Sequence, residues 1–214
     1  MESKEIMQKR YEIMSERVLK ALGSRGFMGY FCKDREEAAK KVAELIPVGS
    51  SVSWGGSLTL EECGIQKLLK SGNYKVIDRA DAKTPKERED ALKAALTCDT
   101  YLSSVNAMTE DGIMFNIDGN GNRIAAIAYG PESVILVVGM NKICRDAATA
   151  LSRAKNVAAP ANSVRLKKET PCTKDGVCHD CKSPECICAQ TVEMRFCRTA
   201  GRIKVLLVGE ELGL

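Results

Sequence analysis

Histidine is nearly missing from this 214-residue chain, which has one, and aromatic residues make up only 5% of it. The single histidine, His179, lies in a cysteine-rich loop, so no histidine elsewhere can serve as a base for hydride abstraction. Neither charge dominates: 32 Lys and Arg against 28 Asp and Glu leave a formal +4, with the two signs mixed along the chain. Nucleic-acid binding would need clustered basic residues with aromatics between them, so that class is set aside. Long apolar runs are absent too. Runs such as Val134–Val138 and Val205–Val208 are far short of the roughly 20 residues of a membrane span and read as sheet-core strands. The start, MESKEIMQKRYEIMSERV, alternates charged and apolar residues without the continuous apolar stretch of a secretory signal, and predicts a cytoplasmic protein. No Gly-x-Gly-x-x-Gly fingerprint, Walker lysine or flavin signature occurs, so no nucleotide cofactor is expected.

What is present is a strand–helix rhythm. Met7, Tyr11, Met14, Val18 and Leu22 form a helical stripe over residues 1–23, ended by Gly23, which either packs on the core or pairs with a second copy as a homodimer arm. Strands are read at FMGYFC, SSVSW, YKVID, TYLSSV, SVILVVG and RIKVLLVGE. Between them, Asp34 with Glu37 and Thr59 with Glu62 predict capped helices, and TPKEREDALKAAL has proline in its first turn. The alternation predicts an α/β fold with a mostly parallel sheet flanked by helices. The segments IMFNID and RIAAIAY, joined by Gly119–Asn122, read as a β-hairpin interrupting that rhythm. A helix from Cys144 closes at Pro160, and residues 168–198 form an irregular cysteine-rich appendage within one domain spanning 1–214.

That appendage holds Cys172, Cys178, Cys181, Cys186 and Cys188, five of the ten cysteines. A reducing compartment disfavours disulfides and turns such density toward metal or redox chemistry, with free thiols as the alternative. Cys178 and Cys181 form a C-x-x-C turn that can present two thiolates to one centre. Cys172 and Cys188 are the expected further ligands, with Cys186 or Cys197 as substitutes for Cys188. Zinc and an iron–sulfur cluster, most naturally of four irons, fit this donor set equally. The remaining cysteines read as small buried apolar residues.

Two strand ends collect polar groups. Gly55, Gly56, Ser57 and Thr59 stand where a strand gives way to a helix, either as an anion cradle or as a well-capped turn. Asn106, Thr109, Glu110, Asp111, Asn116 and Asp118 follow another predicted strand, either as ligand groups or as ordinary turn residues. Lys142 follows a third strand and could meet an anion. Ligands in open α/β sheets bind beyond the carboxyl ends of strands, which makes one shared pocket the expectation.

The segments SWGGSLTLEECGI, NAMTEDGIMFNIDGNGNRIAAIAYGPESVILVVGMNKI, NVAAPANSVRL and TPCTKDGVCHDCKSPECIC together resemble the lactate-utilisation (LUD) domain proteins over about residues 5 to 214. The similarity is to the stand-alone branch with a C-terminal cysteine motif. The resemblance implies the fold shared by glucosamine-6-phosphate deaminase, ribose-5-phosphate isomerase and CoA transferases, with the Gly-Gly-Ser turn and the TEDG turn flanking a pocket. It implies a bacterial subunit or accessory of L-lactate or organic-acid oxidation, working with iron–sulfur partner subunits on a small anionic metabolite. The chain departs from the larger iron–sulfur subunit of such systems in lacking tandem ferredoxin-type motifs. By analogy with the acidic turn of CoA transferases, Glu110 is the expected catalytic residue. The alternatives are an isomerase or transferase acting on a phosphorylated or CoA-linked metabolite, and a zinc-stabilised ligand-binding module.

Overall fold

The computed structural model describes residues 3–214; the first two positions of the expected N-terminal helix lie outside the described residues. In chain order the elements are α1 (Ser3–Ser24), β1 (Met28–Cys32), α2 (Arg35–Leu45), β2 (Ser51–Trp54), α3 (Leu58–Glu62), α4 (Ile65–Ser71), β3 (Lys75–Ile77), α5 (Pro85–Ala94), β4 (Thr100–Ser103), β5 (Ala107–Thr109), β6 (Met114–Asp118), α6 (Asn122–Ala128), β7 (Ser133–Gly139), β8 (Ile143–Cys144), α7 (Ala147–Arg153), α8 (Ala159–Arg165), α9 (Cys172–Asp175), β9 (Gln190–Met194) and β10 (Ile203–Val208). Among the described residues no helix is long and apolar enough to cross a membrane.

Six strands form one sheet in the order β1-β10-β7-β4-β2-β3, and every neighbouring pair is parallel. The continuous apolar runs explain the two central strands. In β7, Val134, Leu136 and Val138 enter one core while Ile135 and Val137 enter the other; in β10, Val205 and Leu207 oppose Leu206 and Val208 in the same way. Side chains alternate across a strand, so a strand with helices on both faces must be apolar at every position. Each fully buried leucine or valine contributes about 1.5–3 kcal/mol by leaving water. On one face α1 buries Tyr11, Val18 and Leu22. The approach to β1 is close: a Cβ at Gly29 would stand 2.6 Å from Leu19 Cδ2. On the other face lie α2, α3 and α4, with Val42, Leu60, Ile65 and Leu69 in the second core.

The acid pair expected to open α2 does so reciprocally. Asp34 Oδ1 accepts from the Glu37 backbone N–H at 2.8 Å, satisfying a donor that the helix start leaves free, and Glu37 Oε2 reaches back to accept from the N–H of Lys33, just before the cap, at 2.7 Å. The next helix differs from expectation. Its cap is Ser57, not Thr59, which lies inside α3, buried. Gly64, with φ of 67°, then breaks the helix into α3 and α4 in a conformation that glycine adopts without strain.

A second, four-stranded sheet runs β8-β5-β6-β9. It corrects the expected hairpin. β6 turns back antiparallel onto β5 through Asp111-Gly112, not onto RIAAIAY, and its other edge takes β9, a strand the sequence did not announce. RIAAIAY belongs to α6. Its buried Ala126 and Ile127 face the first core, and the run of alanines favours helix despite the Gly119–Asn122 turn that suggested a hairpin. Pro160 also fails to end its helix. Between α7 and α8, residues Ala154–Ala158 form a π turn, and Pro160 sits in the first turn of α8, where no N–H is required of it.

Candidate functional site

Because the six strands are parallel, the segments that follow β2, β3, β4 and β7 emerge on one side of the sheet. There they enclose a cavity of about 550 Å³. Gly56 and Ser57 come from the β2–α3 turn, Thr59 from the first turn of α3, Arg79 from the loop after β3, Ser104 and Asn106 from just beyond β4, and Lys142 from the turn after β7. Arg88 of α5, Arg123 of α6, and Arg165 and Lys168 of and after α8 complete its charge. Six basic side chains thus face two acidic ones, Asp118 and Glu185. Arg123 is paired with Asp118 at 2.8 Å and Lys168 with Glu185 at 3.7 Å. Arg79, Arg88, Arg165 and Lys142 have no carboxylate within ion-pair distance among the described residues. Burial lowers the pKa of Arg165, and the like charge of Arg79 lowers it further against Glu61. Such an unneutralised set is complementary to an anion.

Lys142 forms part of the floor. It is 3% exposed, and Nζ donates to Thr59 Oγ1 at 2.8 Å and Ser104 Oγ at 3.0 Å. Burial, then the charges of Arg153 and Arg123, push its pKa down to about 7 against the pull of Glu62 and Cys63. An ammonium taken out of water without a carboxylate loses its proton more readily.

Arg123 is the fixed point beside it. Nε donates to Asp118 Oδ1 at 2.8 Å, Nη1 to Ser104 O at 3.1 Å and Asn116 Oδ1 at 2.8 Å, and Nη2 to Asn106 Oδ1 at 2.9 Å and Ile117 O at 2.8 Å. The other oxygen of Asp118 accepts from the Ile124 N–H at 3.0 Å and so ties the start of α6 to β6. One guanidinium therefore joins β6, α6 and the end of β4.

The expected ligand groups divide. Gly56, Ser57, Thr59, Asn106, Asp118 and Lys142 line the cavity. Gly55 lies just behind it; its N–H bonds Leu102 O at 3.0 Å inside the sheet, and a Cβ there would stand 3.1 Å from Arg123 Cδ. Asn116 is buried as an acceptor for Arg123, and its Nδ2 has no partner. Thr109, Glu110 and Asp111 lie away from this cavity at the β5–β6 turn. Glu110 pairs with Arg17 of α1 at 2.5 Å, Asp111 with Arg25 at 2.5 Å, and Thr109 Oγ1 donates to Asp111. Beside the Gly56–Ser57 turn, the charge of this cavity comes from side-chain cations on separate elements. Arg79, Arg88, Arg123, Arg165 and Lys168 were missed, because they are far apart in sequence and only the topology gathers them.

A second cavity of about 120 Å³ adjoins the first and is lined by Cys172, Cys178, Cys181, Cys186 and Cys188 together with His179. Asp180, at φ of 50°, turns the C-x-x-C element, and its carboxylate is held at 2.8 Å by Lys155 from the π turn. His179 Nε2 is 2.8 Å from Asp175 Oδ2. Cys186 and Cys188 both face this cavity, since the segment turns instead of running extended, and the Cys188 N–H donates to Cys186 Sγ at 3.3 Å. Burial and the neighbouring thiols of Cys186, Cys178 and Cys172 push the Cys188 thiol up to about 12. Cys197 is buried elsewhere, bonding Thr199 O. Cys32, Cys63 and Cys98 are buried thiols, pushed by burial up to about 12, 12 and 11. Five sulfurs around one cavity fit, by donor chemistry, zinc or an iron–sulfur centre. Among the described residues no three cysteine, histidine or carboxylate side chains are already close enough to hold a metal ion. Ile117, Cys186 and Ile187 face both cavities and form the wall between them.

Comparison with solved structures gives a DUF162 family protein from Deinococcus radiodurans, with TM-score 0.55 and 11% identity over 92% of this chain and 98% of that one. At that identity the likeness shows the fold. The delta subunit of eIF2B from Chaetomium thermophilum matches with TM-score 0.33 and 17% identity over 54% of this chain and 52% of that one. Comparison with curated proteins gives no match. A family model described as the LUD domain matches residues 15–208, which include every strand of both sheets and most of both cavities: the chain belongs to the LUD domain family.

Proposed function

We propose that this LUD domain chain takes part in the oxidation of L-lactate or a related organic acid, as a subunit or accessory working with iron–sulfur partners. In this reading the cationic cavity takes the anionic metabolite. Arg79, Arg165 and Arg88 attract and orient its carboxylate, and Lys142 holds the floor. Cys172, Cys178, Cys181 and Cys188 hold an iron–sulfur cluster or a zinc ion, with the 178–188 segment drawing in to complete the ligand set. A bound cluster would accept or pass single electrons, whereas zinc would clasp the segment. The observation that carries the proposal is the wall formed by Ile117, Cys186 and Ile187. One layer of residues separates the place for the metabolite from the thiols.

The deciding experiment is anaerobic purification followed by a visible absorption spectrum and a metal count on one sample. Brown protein with several irons per chain that bleaches on dithionite supports electron transfer. Colourless protein with one zinc removes it and leaves a structural clasp.

A second reading is favoured by the cavity's size, about 550 Å³, and its three guanidinium groups without carboxylate partners. Both suit a phosphorylated or CoA-linked metabolite better than a three-carbon acid. Calorimetric titration with lactate, inorganic phosphate and a sugar phosphate separates the two by which ligand binds more tightly.

A further inference from the structure

We propose that Lys142 is a reactive amine that captures a carbonyl-bearing organic anion, of the 2-oxo acid class, as an imine. The proposal rests on reading the cationic cavity as the metabolite site and is independent of what the cysteines hold.

Three observations carry it. Lys142 is buried, yet its side chain forms part of the cavity wall, so the amine meets the cavity and little bulk water. Its two partners, Thr59 Oγ1 and Ser104 Oγ, are hydroxyls, which can donate or accept and therefore suit either an ammonium or a free amine. No carboxylate neutralises it among the described residues. The charged groups acting on it are Arg153 of α7 and Arg123 of α6, which oppose a proton, and Glu62 of α3 and the adjoining Cys63, which favour one; burial outweighs them and leaves a large neutral fraction near pH 7. A desolvated lysine beside other cations is the general device for an amine nucleophile. Around it, Arg79 and Arg165 supply the charge that would hold the carboxylate of a 2-oxo acid while the adjacent carbonyl meets Nζ.

The chemistry balances without an oxidant. The nitrogen lone pair attacks the carbonyl carbon, the C–N bond forms, and the carbonyl π pair moves to oxygen. One proton passes from nitrogen to that oxygen, giving a carbinolamine. Its hydroxyl then leaves as water with the second nitrogen proton, and C=N remains. Ser104 and Thr59 are placed to relay both protons.

The test treats the purified chain with pyruvate, glyoxylate or 2-oxoglutarate and sodium cyanoborohydride near neutral pH. Intact mass and peptide mapping then read the adducts. The expected result is a gain of one oxo acid less one water plus two hydrogens, on Lys142, at least about ten-fold above the mean of the exposed lysines. Inorganic phosphate should slow it, and Lys142→Arg should remove it. Because mapping is done on the unaltered chain, a misfolded variant cannot obscure the answer. No adduct with any of the three acids, or adducts spread evenly over surface lysines, overturns the proposal. A brown protein without the adduct sinks this inference alone; a colourless protein with it sinks only the electron-transfer reading.

Discussion

Lys142 Nζ and Thr59 Oγ1, 2.8 Å apart, join the turn after β7 to the first turn of α3 with both residues out of solvent. The contact places a titrating amine in the core, and folding must answer for its proton. Burial lowers its pKa to about 7 from 10.5, so the unfolded chain binds that proton more tightly. Stability therefore rises with pH from about 7 upward. Above about 9 the buried thiols of Cys32, Cys63 and Cys98, raised from 9.0, work the other way, because the unfolded chain releases their protons first. Between pH 7 and 9 Lys142 is expected to contribute a slope of up to about 1.4 kcal/mol per pH unit. Lys142→Met should flatten that slope in urea melts taken across the window; an unchanged slope would show that the amine is not desolvated.

Arg123→Met is expected to destabilise the fold by about 3 kcal/mol, because Asp118 Oδ1 and Asn116 Oδ1 lose their donor in a half-buried place and Asn106 Oδ1 keeps only the Ile117 N–H. Urea denaturation measures it. Arg123→Lys should recover little, since one ammonium cannot reach partners spread around a planar fork.

Gly56→Ala places a methyl 2.7 Å from Arg79 Nη2 and 3.7 Å from Arg165 Nη2. Both contacts are the far ends of flexible side chains, so the melting temperature should change little. Displacing Arg79 should weaken binding of inorganic phosphate or oxalate about ten-fold, a loss of about 1.4 kcal/mol read by calorimetry. Unchanged affinity would remove Arg79 from the anion site.

Iodoacetamide labelling of metal-stripped, reduced protein should reach Cys172, Cys178, Cys181 and Cys186 first, with Cys188, whose thiol is pushed up to about 12, behind them. Cys32, Cys63 and Cys98 are 0%, 6% and 2% exposed and should label only on unfolding. Peptide mapping over time distinguishes the two groups, and early labelling of Cys32 would contradict the packing of β1.

Glu110→Gln should leave anion binding intact, because Glu110 pairs with Arg17 on α1 and does not line the cavity. Arg17 is 72% exposed, so loss of that pair should cost under about 1 kcal/mol. A collapse of anion affinity in this variant would return the β5–β6 turn to the site.

Much of this architecture is legible from residue order. β7 and β10 announce themselves as continuous apolar runs because both faces are covered, and the cap at Asp34 and the first-turn proline of TPKEREDALKAAL mark where α2 and α5 begin. Gly56, Thr59 and Lys142 are findable because each follows a strand end. The misreadings share one cause: local pattern without its tertiary partner. RIAAIAY follows a Gly-Asn-Gly-Asn stretch that reads as a hairpin turn, but Asp118 caps its first turn and Gly121 leads it into a helix. β9 carries a polar, mostly exposed sequence, and it is a strand because β6 offers it an open edge. The arginines of the cavity come from four separate places in the chain, and nothing local marks them as neighbours.

Ile117, Cys186 and Ile187 line both cavities, so neither can change shape at those residues without changing the other. A guest that shifts Ile187 from one side changes the shape offered on the other, and such linkage is reciprocal by necessity. Were a guest bound in each cavity, the factor by which one altered the affinity for the other would be the same in both directions.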